Sequence, residues 1–276
     1  MSWLFRCLLI AWFLFPTPDP RLDVDVELSA RRGLEPLLDT LPLTPIPRSH
    51  PGVGRLRGHG SLSIGTTRDG FIVDCRPLPT DEPALKQLEV QSHRGTACGT
   101  DELVAALVKA ARDVARLAPG VPMTVGNIGR VGGGDLSWSV SHNSGRDADL
   151  GFFLLGPDGK PFVARDLVRL DGGLRGFADG TPVRLDLRRT WLLVRSLLTN
   201  PDVEIQWLFV SSPIRKALLE FAKQRKEPPG VQARAEEAMA QPAHTKPHDD
   251  HVHLRVYCAP DDLLEGCRDR GTNRPW

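Results

Sequence analysis

The chain has 276 residues, 41% of them hydrophobic, which is enough for a proper core in one large domain or two small ones and excludes a disordered protein. Formal net charge is +1, and the 35 basic residues are spread along the chain without a long basic stripe, so nothing supports nucleic-acid binding.

The first 20 residues read as a signal peptide: one basic residue, Arg6, the apolar run Cys7 to Phe15, then Pro16-Thr17-Pro18-Asp19-Pro20. The run falls well short of the roughly 20 residues needed to cross a bilayer, so no stable membrane span is expected. Residues 21–57 are rich in Pro and Arg, with Pro42, Pro45, Pro47 and Pro51 too close together for a helix or a central strand, and form a linker or wrapping arm. The folded domain is expected over residues 58–276. Once Cys7 leaves with the signal, four cysteines remain, an even set that suits two disulfides in an oxidising compartment. The expected pairs are Cys258 with Cys267, bracketing a short loop after the last strand, and Cys75 with Cys98. A crossed pairing or two free buried thiols is the alternative.

Along the domain, Leu62 and Ile64 alternate with polar neighbours, Asp69-Gly70 is a turn signal, and Phe71-Ile72-Val73 returns as a second strand, which predicts an opening hairpin. Thr100, followed by Asp101 and Glu102, caps a helix. In it Leu103, Val104, Leu107, Val108 and Val114 recur at helical spacing until Gly120. A second helix starts near Asp186, carries Trp191, Leu192, Leu197 and Leu198, and stops at Asn200-Pro201. A third opens at Ser212-Pro213. Val203 to Val210, Asp149 to Leu155 and His251 to Tyr257 read as extended. Strands and helices mix without a βαβ repeat, so the expected class is α+β: one domain with a small, mainly antiparallel sheet packed by helices.

Four of the eight histidines, His244, His248, His251 and His253, fall within ten residues. His251 and His253 are two apart on an expected strand, so both leave the same face, roughly 6–7 Å apart at the backbone. One can bind a metal while the other stands beside its open position; a hydrogen-bonded polar face is the plainer reading of an isolated His-x-His. The second piece is Ser141-His142-Asn143-Ser144-Gly145-Arg146-Asp147-Ala148-Asp149. A His and a carboxylate meeting across a Gly-containing turn are normal zinc ligands, and either Asp147 or Asp149 can serve by residue type. Together the two pieces give two histidines and one carboxylate with a fourth position open, the composition of a catalytic zinc site. The surplus His251 can take the proton of an attacking water. Asp249 and Asp250 read as solvated loop carboxylates in preference to partners of a histidine, and Gly132-Gly133-Gly134 as a flexible connection.

The pattern of a His, six residues, an Asp and a late His-x-His resembles the LAS metallopeptidases. The fuller match, His142-Asn-Ser-Gly-Arg-Asp-Ala-Asp149 with His248-x-x-His251-x-His253, resembles the penicillin-insensitive murein endopeptidases over roughly residues 60 to 270. That resemblance implies Zn2+ held by His142, Asp149 and His253, with His251 as general base and His248 as a second active-site histidine. It also implies a periplasmic or secreted enzyme that hydrolyses the D-alanyl to diaminopimelyl cross-link of peptidoglycan. Two other readings stay open. A carboxypeptidase of the same superfamily would need a cation for the substrate carboxylate, for which Arg146 and Arg255 are near in sequence. A silent cell-wall-binding module would have no use for a base beside the metal.

Overall fold

The computed structural model describes residues 60–243 and 245–271. The expected signal peptide, the Pro/Arg-rich arm and His244 lie outside the described residues. Fourteen strands and six helices are present among them. In chain order the strands are β1 (Leu62–Gly65), β2 (Gly70–Val73), β3 (Arg76–Pro77), β4 (Leu85–Gln87), β5 (Cys98–Gly99), β6 (Met123–Val125) and β7 (Asp147–Gly151). They continue with β8 (Leu154–Leu155), β9 (Pro161–Phe162), β10 (Arg175–Ala178), β11 (Thr181–Leu185), β12 (Ile205–Phe209), β13 (Met239–Ala240) and β14 (His251–Val256).

The class is α+β as expected, built on a larger sheet than the sequence suggests. Six strands run in the order β13-β12-β14-β7-β6-β4. The three inner pairings are antiparallel, whereas β13 and β4 add to the edges in parallel. A separate four-stranded antiparallel sheet, β10-β11-β8-β9, was not read from the sequence. The segment from Asp149 to Leu155, expected as one strand, is divided: β7 starts two residues earlier, and β8 joins the second sheet after Phe152 and Phe153 turn into the core.

One face of the six-stranded sheet is covered by helices. The helix Asp101–Leu117 buries Leu103, Val104, Leu107 and Val114, and Thr100 accepts the Leu103 N–H on its Oγ1 at 3.3 Å, which satisfies one of the free donors of the first turn. It packs against the helix Leu187–Leu198, which Asp186 caps by accepting from the Arg189 N–H at 3.1 Å. The third expected helix runs Ser212–Gln224. Its cap is Ser211, one residue earlier than read, because Ser212 and Pro213 already lie inside the first turn. Ala148 and Leu150 of β7 and Val252, Leu254 and Val256 of β14 face this core. Strand alternation then turns Asp147, Asp149, His251, His253 and Arg255 to the other side.

The expected hairpin β1–β2 forms, with Leu62 opposite Val73. Both expected disulfides are present, Cys75–Cys98 and Cys258–Cys267. No helix among the described residues is long and apolar enough to cross a membrane.

Candidate metal centre

The antiparallel register of β7 and β14 sets the site. His253 stands opposite Asp149, Arg255 opposite Asp147, and His251 opposite Gly151, whose missing side chain makes way for that of Thr124. A slip of one residue would send the whole row into the core, so the apolar alternation of both strands also fixes the polar face.

His142 reaches this face from the loop before β7. Its backbone has a positive φ of 77°, unusual for a side chain of this size. The loop is held from two sides. The His142 N–H donates to Asp147 Oδ2 at 3.2 Å, and Asn143 donates to the Arg68 carbonyl at 2.8 Å and to Asp135 Oδ1 at 2.6 Å, docking the loop on the β1–β2 turn. The triple glycine takes part. All three residues have positive φ, and a Cβ on Gly133 would stand 2.1 Å from the Asn143 carbonyl oxygen and 2.8 Å from Phe71 Cα. Gly133 is therefore packed tightly under the His142 loop, while Gly132 and Gly134 have open space beside them, so the reading of the run as a plain connection is corrected at Gly133 alone.

Three imidazole nitrogens converge on one carboxylate oxygen. Asp149 Oδ1 lies 3.2 Å from His142 Nε2, 3.2 Å from His251 Nε2 and 3.1 Å from His253 Nδ1. Its other oxygen accepts from Asn127 Nδ2 at 2.9 Å. Two of the rings are fixed from behind. His142 Nδ1 donates to the Ile128 carbonyl at 2.7 Å, and His251 Nδ1 meets Asp250 Oδ1 at 2.6 Å, so in each ring Nε2 is left to face Asp149. Unprotonated nitrogens and a carboxylate repel unless a cation sits among them. The Nε2 atoms of His251 and His253 are buried with no hydrogen-bond partner among the described residues, so the pocket holds donor atoms that the protein itself does not satisfy.

Two overlapping groups can hold a metal ion: His142, Asp149 and His253, all buried, and His248, His251 and His253 nearer the surface. The donor set fits a divalent cation, since neutral imidazoles backed by carbonyl or carboxylate partners and one buried carboxylate are the usual arrangement around such an ion. Electrostatics agree. Burial disfavours the charged form of Asp149, but His142 and His251 outweigh it and hold the carboxyl well below its ordinary range. Burial likewise opposes a charge on His251, yet Asp149 and Asp250 push it up to about 10. The site attracts positive charge strongly, whether as protons or as an ion.

His248 sits at the rim with its ring 5.1 Å from that of His251 and 5.4 Å from that of His253. Burial, with the two neighbouring histidines, lowers it to about 4, so the ring is neutral. Its Nδ1 lies 2.9 Å from the Lys246 carbonyl, and since a carbonyl only accepts, the proton is on Nδ1 and Nε2 is bare. Phe209 of β12 closes the side of the cluster, 5.7 Å from the His253 ring.

The two aspartates that spacing left equivalent are separated by their neighbours. Asp147 is taken up by Arg255, whose Nε and Nη2 donate to its two oxygens at 2.7 and 2.9 Å. Asp250 is a partner of His251, which corrects the expectation that both loop carboxylates are merely solvated. Asp249 instead pairs with Arg169 at 3.2 Å. Asn127 was not read from the sequence at all. It lies 22 residues before Asp149 in a loop without any motif, and no local signal marks it.

A family model described as penicillin-insensitive murein endopeptidase matches residues 63–274, most of the chain and all of the cluster. No curated protein matches it.

Proposed function

The chain belongs to the penicillin-insensitive murein endopeptidase family, and from that premise we propose that it is a zinc-dependent, exported peptidase that hydrolyses the D-alanyl to diaminopimelyl cross-link of peptidoglycan. In this reading His142, Asp149 and His253 hold the zinc, His251 is the general base, and His248 is a second active-site histidine. The observation that carries it is the convergence of three imidazole nitrogens on Asp149 Oδ1 within 3.2 Å, a buried donor set whose negative charge is balanced by protons on the rings or by a bound cation. Two disulfides suit an oxidising compartment outside the cytoplasm. Residues 1–20 would then be the export signal and residues 21–57 an arm leading to the catalytic domain.

A bound zinc supplies a Lewis acid that acidifies water and polarises a carbonyl. The protein's own groups handle the proton. With the charge of Asp149 neutralised by the ion, His251 Nε2 becomes free to accept a proton from water attacking the scissile carbonyl and to return it to the leaving amine. Asp250 holds the ring in the tautomer this requires and steadies the imidazolium that forms. Neutral His248 presents a bare Nε2, so its role is to accept a hydrogen bond from a substrate N–H, not to donate one to an oxyanion.

The carboxypeptidase reading loses its cations. Arg146 is buried and donates to Asp269, the Val256 carbonyl and the Arg268 carbonyl, and Arg255 is engaged by Asp147. A silent wall-binding module gives no reason for the His251–Asp250 pair.

The test is zinc content and turnover of muropeptide dimers on the same preparations of wild type, His251→Ala and His248→Ala, with the released fragments identified by mass spectrometry. His251→Ala should keep about one zinc per chain and lose about 10²–10⁴ in rate. Wild-type turnover by His251→Ala alongside an inactive His248→Ala would move the base to His248.

A further inference from the structure

A second surface beside the cluster is unused by this chemistry. Strands β10 and β11 form a hairpin around Asp179-Gly180, both at positive φ (51° and 78°), as a tight two-residue turn requires. The register sets Arg175 against Arg184 and Phe177 against Pro182. Ala178, Val183 and Leu185 point into the core, so the other face of the hairpin carries two arginines directly across from one another and, two residues on, a ring that is 75% exposed. Like charges placed directly opposite destabilise a sheet. Neither guanidinium is paired with a carboxylate among the described residues. Fold stability gives no reason for this arrangement.

These four side chains line a groove of about 940 Å³ that also takes in Leu167 and Asp249. Both of the latter lead to the metal centre. Leu167 Cδ2 and Asp149 Cβ stand 3.6 and 3.2 Å from the point a Cβ on Gly126 would occupy. The Asp249 carbonyl accepts from the Leu170 N–H at 2.8 Å, and the next residue, Asp250, holds His251.

We propose that this groove is a substrate subsite for an acidic peptide stem, with Arg175 and Arg184 clamping a carboxylate and Phe177 packing against the aliphatic part of the stem. The identity of the peptide rests on the murein endopeptidase reading, whereas the charge, the ring and the groove stand without it. Cross-strand neighbours have Cβ atoms about 4.5–5.5 Å apart, which lets two guanidinium forks reach one carboxylate or two adjacent ones. The stems of a diaminopimelyl murein carry free carboxylates, and an anion between the arginines would remove the repulsion that the empty hairpin bears.

The test uses the full chain and two ligands, an acidic murein stem tetrapeptide and the same peptide with its carboxylates amidated, titrated calorimetrically. Wild type should bind the acidic form at least about tenfold more tightly, the scale of one or two charged hydrogen bonds. In the Arg175→Gln/Arg184→Gln double variant that ratio should fall to near one, and Arg175→Lys/Arg184→Lys should restore part of it. The melting temperature should stay level or rise, since a repulsive pair has gone. Turnover of free and amidated muropeptide dimers, run alongside, separates the two readings. A wild type that cuts no dimer yet keeps charge-dependent binding would sink the endopeptidase and support the groove. Normal turnover with a tetrapeptide affinity unchanged in the Gln variant would overturn the groove alone. Equal weakening of a peptide-free glycan strand by the Gln variant would assign the groove to sugar and overturn the stem.

Discussion

Asp147 and Asp149 leave the same face of the same strand, both buried, and differ in what faces them. Asp147 meets a guanidinium that fills both of its oxygens, so its charge is balanced permanently by the protein. Asp149 meets three imidazoles, which balance it only when protonated or when a cation lies among them. The difference sets a carboxylate neutralised by the protein beside one that is not, along one strand pair. A carboxylate whose charge is already matched by arginine attracts a cation weakly, while one surrounded by rings that can be neutral is open to an ion. Residue type cannot express this, because the deciding groups come from the opposite strand and from the loop carrying His142.

The largest expected effect breaks the Asp149 side of the comparison. Asp149→Ala should leave no zinc after dialysis and no measurable dimer turnover, because one of three proposed ligands and the only charged one is gone. Asp147→Asn should retain about one zinc per chain. Metal analysis by plasma emission on both variants decides it, and full occupancy in Asp149→Ala with loss in Asp147→Asn would exchange the two assignments. The next effect is on the fold. Arg255→Met should cost about 3–5 kcal/mol in urea unfolding, because it leaves Asp147 buried and uncompensated, while zinc content stays at one. A stability within about 1 kcal/mol of wild type would mean that water reaches Asp147 and that the two carboxylates differ less than their neighbours imply.

Much of this was readable because it is local. Thr100 and Asp186 announce their helices by residue type, the apolar spacing that follows places their buried stripes, and Asp69-Gly70 marks the first hairpin. His142, His251 and His253 were visible because a His six residues ahead of an Asp and a late His-x-His form a recognisable pattern in the chain. What the sequence withheld depends on register and distant loops. Telling Asp149 from Asp147 by the residues alone requires knowing that Arg255 reaches from β14 to Asp147 on β7, and Asp250 looks like any loop carboxylate until the bend before β14 folds it back on His251. The β10–β11 hairpin is a different kind of miss. Its Asp179-Gly180 turn and the alternation around it are ordinary strand signals, but only pairing reveals that Arg175 and Arg184 are opposed.

The smallest effect concerns Asn127, which sharpens the comparison by asking how Asp149 is held in place without an arginine. Its side-chain amide donates to Asp149 Oδ2 at 2.9 Å, its carbonyl accepts the Asp149 N–H at 2.9 Å, and its Oδ1 accepts from Thr96 at 3.1 Å. A neutral donor aims one carboxylate oxygen and leaves the negative charge available, where a cation would consume it. Asn127→Ala should therefore weaken zinc binding about 10–100-fold, the usual loss when a group orienting a ligand is removed. Turnover should return toward wild type when zinc is raised to saturation, since nothing that touches the substrate has changed. Asn127→Asp should be distinguishable, because a second carboxylate facing Asp149 repels it in the empty site and attracts the ion in the filled one. Competition against a chromogenic chelator gives the zinc dissociation constant of each. An Asn127→Ala constant within about twofold of wild type, below 0.5 kcal/mol by the usual conversion, would show that the fixed backbone of β7 alone suffices to aim Asp149.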